Sequence, residues 1–254
     1  MKNRILLSLL CFLLWLPSPA QEQAAVGVIA HRGYWKADGA AENSIAALIA
    51  AQQLGVYGSE FDVWITADGV AVIHHNATIQ GVRIENVPYR EIEALTLSNG
   101  ERLPTLEAYL KAGARHKQTR LILEIKPHST PSREEAAVQE ALRLVRATGV
   151  ADQTEYISFS AYICRRLHEL SPRASVAYLN GDMTPAEVAS AGWTGLDYNA
   201  SVFRKHPEWI GQAHRLGLTT NVWTVNKPAD MEYFRRAGIG FITTNEPVVL
   251  KELR

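Results

Sequence analysis

The sequence predicts an α/β fold, a single (β/α)8 barrel of the TIM type. Apolar runs of strand length alternate with helix-like segments from Val26 to Leu253 in about eight units, an order typical of parallel βαβ architecture. The chain has 254 residues, and ~250 residues is typical of one such barrel. Polar and charged residues directly follow several of the strand-like runs. Because active sites in these barrels lie at the carboxyl ends of the strands, this pattern also predicts where a functional site lies.

The predicted elements follow one another without a repeat or an interdomain linker. The strand-like segments are residues 26–30, 58–65, 70–75, 121–126, 155–159, 175–179, 195–198, 219–225 and 240–243. The helix-like segments are residues 44–54, 104–110, 132–147, 162–170, 185–191, 208–216, 230–237 and 248–253. Thr184, Pro185 and Glu187 form a helix-start signal, and Gly149 and Gly192 fall where helices are expected to stop.

Residues 76–110 form an inserted segment between the early strands. The segment contains a predicted short helix at residues 89–95 and a turn at Ser98-Asn99-Gly100. We expect this segment to pack over one end of the barrel.

The first twenty residues, 1–20, are predicted to be a signal peptide. Basic residues near the start precede an apolar stretch at 5–16, and small residues at 18–20 form a cleavage site. The apolar stretch of about a dozen residues is short for a bilayer, which needs ~20. The mature domain is therefore expected to span 21–254, to be periplasmic or secreted, and to keep no stable membrane span.

The composition points to a small ligand. The 26 basic and 26 acidic residues balance, and no run of lysines and arginines provides the positive patch that nucleic acid requires, so no nucleic-acid partner is expected. Removal of the signal peptide leaves Cys164 as the only cysteine. An intramolecular disulfide is then impossible, and stability must come from the apolar core.

Glu60 and Asp62 are the sharpest local signal. In a strand they lie on one face, because the side-chain period is two. Two adjacent carboxylates raise each other's pKa unless a cation compensates, and Mg²⁺ or Ca²⁺ does so with oxygen ligands alone. The alternative is a solvated face of an antiparallel strand. Glu124 and Lys126, which share a face at the end of another apolar run, favour the cation site.

With these residues the chain resembles the glycerophosphodiester phosphodiesterase family. The family's motifs occur in order as His31-Arg32-Gly33, Glu42-Asn43-Ser44, Glu60-Phe61-Asp62 and Glu124-Ile125-Lys126. The resemblance extends from Gly27 to about Pro247. One motif departs from the family pattern, because Asn76 follows His74-His75 where the family has aspartate.

The resemblance implies metal-dependent hydrolysis of a glycerophosphodiester to glycerol 3-phosphate and an alcohol. The implied ligands of the divalent cation, Ca²⁺ or Mg²⁺, are Glu60, Asp62 and Glu124, with Glu42 as an additional one. Arg32 and Lys126 are suited to bind the negatively charged phosphate. The arginine guanidinium offers a planar set of N–H donors, and the lysine ammonium offers a compact positive charge.

Two histidines are expected to act as general acid and base. His31 fits one role, and His75 is preferred to His74 for the other because of its place in the motif. Asn76 cannot supply the negative charge that raises the pKa of a neighbouring histidine, so a reduced rate or a lower pH optimum is expected. Trp223 resembles a tryptophan that the family has near the C-terminal end of the domain. Its ring is expected to contact the glycerol or the leaving group, and the alternative is a role in the apolar core.

Two other functions remain open from the sequence. The first is a phospholipase C- or D-like activity on intact lipid, which needs an apolar rim that Tyr34, Trp35 and Phe203 are too scattered to establish. The second is a glycerophosphodiester-binding protein whose chemistry Asn76 has weakened.

His128 is expected to reach the rim of the site, and Glu246 is expected to touch substrate or to cap the last helix. The head group, the choice of ion and the oligomeric state stay undetermined.

Overall fold

Eight parallel strands close into a barrel in the computed structural model, which describes residues 25–253. The strands of the described chain are β1 Gly27–Ala30, β2 Gly58–Ile65, β3 Ala71–Ile73, β4 Thr78–Ile79, β5 Val82–Arg83, β6 Arg120–Ile125, β7 Thr154–Ser158, β8 Val176–Tyr178, β9 Gly195–Asn199, β10 Thr219–Trp223 and β11 Phe241–Thr244. Its α-helices are α1 Ile45–Leu54, α2 Leu106–Gly113, α3 Pro131–Ala147, α4 Ala161–Leu170, α5 Pro185–Ser190, α6 Ala200–Lys205, α7 Glu208–Arg215, α8 Pro228–Arg236 and α9 Pro247–Glu252.

The barrel order confirms the predicted (β/α)8 fold. The strands follow one another as β1-β11-β10-β9-β8-β7-β6-β2, and β1 also pairs with β2, which closes the ring. All these pairings are parallel. The additional strand β3 pairs antiparallel to the end of β2, with Val63 opposite Ile73. The predicted signal peptide lies outside the described residues.

Strand residues alternate between two apolar layers. Outward-facing side chains pack under the helices, as where the ring of Phe61 lies 4.4 Å from that of Tyr109 on α2. Inward-facing Ile29, Ile122 and Ile157 fill the barrel interior. This period of two places Phe61 in the outer layer and Glu60 and Asp62 on the inner face, as the sequence predicts.

The inserted segment folds against the end of β2 with a small core of its own. That core consists of Trp64, Val72, Ile79, Ile84, Ile92 and Leu103. The helix predicted at 89–95 is reduced to one 3₁₀ turn, Tyr89–Glu91, because a segment this short cannot offset the cost of helix nucleation by itself. The short helix α6, which the sequence did not predict, begins where the Asn199 side chain accepts the amide N–H of Ser201.

Helix ends largely follow the predicted signals. Thr184 and Glu187 form a reciprocal capping box with Pro185 in the first turn. Gly149 and Gly192 take positive φ values of 69° and 77°, which glycine adopts without steric cost at a helix end. In the described chain no helix is both long and apolar enough to cross a membrane.

His128 fastens the carboxyl ends of β2 and β6 to each other. Its Nδ1–H donates to the carbonyl of Lys126 at 2.7 Å, and its Nε2 accepts the amide N–H of Ile65 at 3.1 Å. The ring also lies edge-on against Trp64. Both ring nitrogens are thus used by the backbone, and burial lowers the pKa of His128 to about 4. A protonated ring has no lone pair left to accept the N–H of Ile65.

We expect His128 to make the fold acid-sensitive. Between pH 6.5 and about 4 the unfolded chain binds a proton at this residue that the native protein does not, so the free energy of unfolding falls as pH falls through this window. The largest contribution is about 3 kcal/mol. Urea unfolding at pH 7 and pH 4.5 should show a flatter pH dependence for His128→Gln than for the wild type. The exposed control His116→Gln should keep the wild-type profile, and an identical slope in all three proteins would refute the assignment.

Candidate active site

Most of the polar residues predicted from the strand ends meet in one pocket at the carboxyl end of the barrel. It is lined by His31, Arg32, Glu60, His75, Glu124, Lys126, Ile157, Phe159, Leu179, Asp197, Trp223, Thr224 and Thr243. Charged groups from the first strands form one side of the pocket, and apolar side chains from β7, β8 and β10 form much of the other. The location agrees with the site position in parallel barrels.

Three carboxylates from neighbouring strands form the charged side. Glu60 and Asp62 share the inner face of β2, and Glu124 on β6 is the register partner of Asp62. One oxygen of each carboxylate lies within 4.8 Å of the others, and each residue is at most 6% exposed. Since β2 is buried throughout and runs parallel to β6, the alternative of a solvated antiparallel face is excluded.

The loop after β1 and the start of α1 hold these carboxylates in place. The backbone N–H of Arg32 donates to Glu60 Oε2 at 2.8 Å. Asn43 makes two bonds to Asp62, because its Nδ2 donates to Oδ2 at 2.8 Å and its Oδ1 accepts the backbone N–H at 3.1 Å. Ser44 caps α1. The Glu-Asn-Ser motif therefore orients a carboxylate and starts a helix.

Gly33 allows this loop to approach α1 closely. Its φ is +78°, and a Cβ there would lie 2.8 Å from the backbone carbon of Ala47. Any side chain would push the loop away from the helix. The backbone N–H of Arg32 would then leave Glu60, so the glycine of the His-Arg-Gly motif supports the acid cluster.

Lys126 is the cation nearest to the acids. Its Nζ lies 2.6 Å from Asp62 and 2.8 Å from Glu124. Although burial disfavours its charge, the two carboxylates hold the pKa of Lys126 above its usual range. The lysine predicted to meet phosphate thus also balances part of the cluster's charge.

One lysine cannot balance the charge of all three carboxylates in their ionised form, so the two glutamates resist ionisation. Burial, together with the charges of Asp62 and Glu124, raises the pKa of Glu60 well above its usual range, and burial raises that of Glu124 to about 8. Although burial opposes it, Lys126 holds the pKa of Asp62 well below its usual range. Glu60 Oε1 is buried without a hydrogen-bond partner. Three carboxylates that can each offer an oxygen ligand, one of them with an oxygen that has no hydrogen-bond partner, fit a divalent cation.

Glu42 lies outside this cluster. Its side chain is 45% exposed, and its Oε2 pairs with an Arg32 guanidinium nitrogen at 2.7 Å. The structure therefore brings together three of the four acids that the sequence proposes as ligands. Arg32 Nε lies 3.9 Å from Asp62 Oδ2 but is buried without a hydrogen-bond partner, so it remains a donor for a bound anion.

Asparagines hold both pocket histidines. His31 Nδ1–H donates to Asn245 Oδ1 at 2.7 Å, and His75 Nδ1–H donates to Asn76 Oδ1 at 2.9 Å. In this neutral tautomer Nε2 carries the free lone pair. Burial lowers the pKa of His31 to about 4 and also lowers that of His75.

The structure places His75 rather than His74 in the pocket. His74 lies beside a second cavity that the inserted segment borders, and its Nδ1–H donates to the Asn76 carbonyl. His75 borders both cavities. Asn76 orients the His75 ring as an aspartate would, which the sequence argument did not anticipate, but it adds no negative charge.

Trp223 forms part of the apolar wall. Its indole N–H donates to the Asp197 carbonyl at 2.9 Å, and its ring meets Phe159 edge-on at 5.5 Å. These contacts fix the face that it presents to the pocket. Glu246, the other late candidate, pairs with Lys36 and makes no side-chain cap on α9.

Three residues near the pocket were not singled out from the sequence for a role in the site. Asn43 and Asn245 lie in motifs or turns where an amide has no distinct signal. Asp197 is a single acid in the apolar strand β9, and its inward position follows from the period of that strand. Its polar side chain between Leu196 and Tyr198 is the only sequence cue.

Known proteins share both the sequence and the fold. The family model for the glycerophosphoryl diester phosphodiesterase family matches residues 31–249. A crystal structure of a glycerophosphodiester phosphodiesterase from Parabacteroides distasonis has a TM-score of 0.89 and 46% identity, with 90% of this chain and 96% of that chain covered. The glycerophosphodiester phosphodiesterase of Caldanaerobacter subterraneus subsp. tengcongensis is 28% identical, over 89% of this chain and 96% of its own length.

A more distant structure has the same fold. A phosphodiesterase from Oleispira antarctica, solved in complex with the product sn-glycerol-3-phosphate, has a TM-score of 0.77 and 21% identity over 89% of this chain and 96% of that chain. The family model covers most of the chain, which confirms the resemblance drawn from the motifs. The chain belongs to the glycerophosphodiester phosphodiesterase family.

Proposed function

We propose that this protein hydrolyses glycerophosphodiesters to glycerol 3-phosphate and an alcohol, with a bound Ca²⁺ or Mg²⁺ ion. The observation that carries the proposal is one pocket lined by two histidines, an arginine, a lysine and two carboxylates, Glu60 and Glu124, that cluster with the buried Asp62. Family membership supports the same reaction.

Glu60, Asp62 and Glu124 would hold the divalent cation. When bound, the ion supplies positive charge that stabilises the phosphodiester oxygens. The buried, unpartnered oxygen of Glu60 supports this assignment. Glu42 would not bind the ion. It pairs with Arg32 and so positions the guanidinium group.

Arg32 and Lys126 bind the phosphate. Arg32 offers its buried Nε–H, which has no hydrogen-bond partner in the protein and lies 3.9 Å from Asp62 Oδ2. Lys126 has three N–H donors and uses two for Asp62 and Glu124, so one remains for a phosphate oxygen. Both groups stabilise the charge that grows on phosphorus-bound oxygens during attack.

The two histidines divide the proton transfers. His31 is the more deeply buried ring, and its lowered pKa keeps Nε2 free at neutral pH, which suits a base that takes the proton of the attacking hydroxyl or water. His75 borders both cavities, which suits an acid that, in its protonated form, gives its Nε2 proton to the departing alcohol while Nδ1–H stays on Asn76. Water is consumed in the overall hydrolysis. Asn76 and Asn245 keep each Nε2 directed at the substrate.

Two observations favour this function over its alternatives. The exposed large apolar side chains of the described chain, Leu170, Leu216 and Tyr233, lie on or next to outer helices and form no rim for docking on intact lipid. A weakened binding protein has no need for two histidines held in matching tautomers. The proposed substrate is therefore a small deacylated diester.

Glu60→Gln should abolish metal-dependent turnover while the fold stays intact. The change removes one negative ligand, so affinity for Ca²⁺ or Mg²⁺ in titration calorimetry should fall by more than about tenfold. Release of glycerol 3-phosphate from glycerophosphocholine and glycerophosphoinositol is followed after EDTA and again after added metal. Glu42→Gln is the matched control and should keep its metal affinity. Undiminished affinity and turnover in Glu60→Gln would remove the assigned site.

His75→Ala should be rescued by a better leaving group. For glycerophosphocholine we expect kcat to fall about 10²–10⁴-fold. For the p-nitrophenyl ester of glycerol 3-phosphate the loss should be below about tenfold, because nitrophenolate leaves without a proton. His31→Ala should lose activity equally on both substrates. Rescue of His31→Ala instead of His75→Ala would show that the two roles are reversed.

We also propose that residues 1–20 are a cleaved signal peptide and that the mature protein is periplasmic or secreted. The basic, apolar and small-residue segments support this location. Intact mass and N-terminal sequencing of the protein expressed from the full-length chain should give a start near Gln21. Recovery of the uncleaved chain from the cytoplasm would contradict the proposal.

A further inference from the structure

Asp197 is a buried acid in the pocket without a protein partner for one oxygen. It is 2% exposed and lies at the third of the five positions of β9. Its Oδ1 has no hydrogen-bond partner, although the residue lines the same pocket as the histidines and the acid cluster. In the strand order β9 lies across the barrel from β2 and β6, which carry the other acids.

The side-chain donor nearest to Asp197 is shared with another acceptor. Its register partner on β10, Asn221, gives its Nδ2 to Thr243 Oγ1 at 2.8 Å, and Asn221 Oδ1 is itself buried without a hydrogen-bond partner. Burial raises the pKa of Asp197 to about 7, and hydrogen bonding from the Asn221 side chain offsets this only in part. Buried acceptors that lack donors in the protein are costly and are usually satisfied by a bound group.

We propose that Asp197 binds the terminal hydroxyl of the substrate's glycerol unit and so selects diesters whose glycerol is deacylated. The inference rests on the proposed function and adds the residue that distinguishes free glycerol from acylated glycerol. A hydroxyl donates to the Asp197 carboxylate, whereas an acyl ester at the same carbon has no proton to give.

The depth of Asp197 in the pocket favours the glycerol, rather than the leaving alcohol, as the group bound there. Arg32 and Lys126 fix the phosphate near the strand ends, and Asp197 lies one inward-facing position deeper than Asn199, the last residue of β9. The terminal hydroxyl is the glycerol group farthest from phosphorus, so it reaches deepest. His75, which meets the leaving alcohol, borders the second cavity instead.

Asp197 has a role separate from that of the metal ligands. The acid cluster comprises Glu60, Asp62 and Glu124, and Asp197 is not among them. A site built to bind a hydroxyl discriminates strongly against the analogue that lacks it, because the site's own polar group is then left unpaired. Selectivity for the hydroxyl is therefore the property that should depend on Asp197.

The test compares glycerophosphocholine with its analogue that lacks the terminal hydroxyl. We expect the wild type to prefer the natural diester by at least about 100-fold in kcat/KM, and Asp197→Ala to reduce this preference to below about tenfold. Asp197→Asn preserves the volume and should also lower the preference. Its melting temperature should not fall, because it removes a carboxylate that no cation pairs. Glu134→Gln, a buried acid outside the pocket, is the matched control and should keep the wild-type preference.

Failure of the inference about Asp197 can be distinguished from failure of the proposed function. If the wild type turns over the diester but both Asp197 variants keep its full preference, the inference is overturned and the proposed function stands. If the wild type turns over neither substrate, the proposed function fails, and calorimetry with glycerol 3-phosphate and propane-1,2-diol phosphate decides the inference. Equal binding of these two ligands by the wild type overturns it. Tighter binding of glycerol 3-phosphate that is lost in Asp197→Asn supports it.

Discussion

The site depends on the burial of three carboxylates beside a single lysine. Burial first, and mutual repulsion after it, raise the pKa of Glu60 and Glu124. Only positive charge makes the ionised cluster stable, and Lys126 supplies part of it. The negative charge that Lys126 does not balance explains why a divalent cation fits here and why Arg32 lies close by. The parallel pairing of β2 with β6 concentrates this charge, because it puts Asp62 directly opposite Glu124.

Neutral amides, rather than charges, position the reactive groups. Asn43 orients Asp62, Asn76 orients His75 and Asn245 orients His31. A carboxylate in any of these places would compete with the acid cluster for cations and would raise the pKa of the histidines. Amides fix the geometry without changing the charge of the site. The replacement of the family's aspartate by Asn76 therefore keeps the orientation of His75 and removes only the electrostatic effect.

The sequence predicts the fold and the acid cluster because both depend on short-range periodicity. Alternating strand residues place Glu60 and Asp62 on one face, and motif order adds Glu124 and His75. Contacts between distant segments are harder to infer. The ion pairs of Lys126 depend on the register between two strands, and the exposed pairing of Glu42 depends on the conformation of a loop. Asp197 belongs to none of the sequence motifs, so the sequence alone does not indicate its role.

The bond between His31 and Asn245 joins residues 214 positions apart. His31 follows the first strand of the barrel and Asn245 follows the last, and β1 closes the ring by pairing with both β11 and β2. A chain made from its N-terminus therefore cannot orient this histidine until almost all of it has been synthesised. Such non-local contacts also slow folding. The reactive pocket therefore requires nearly the whole chain, and an incomplete chain carries the acids and histidines without the bond that orients His31.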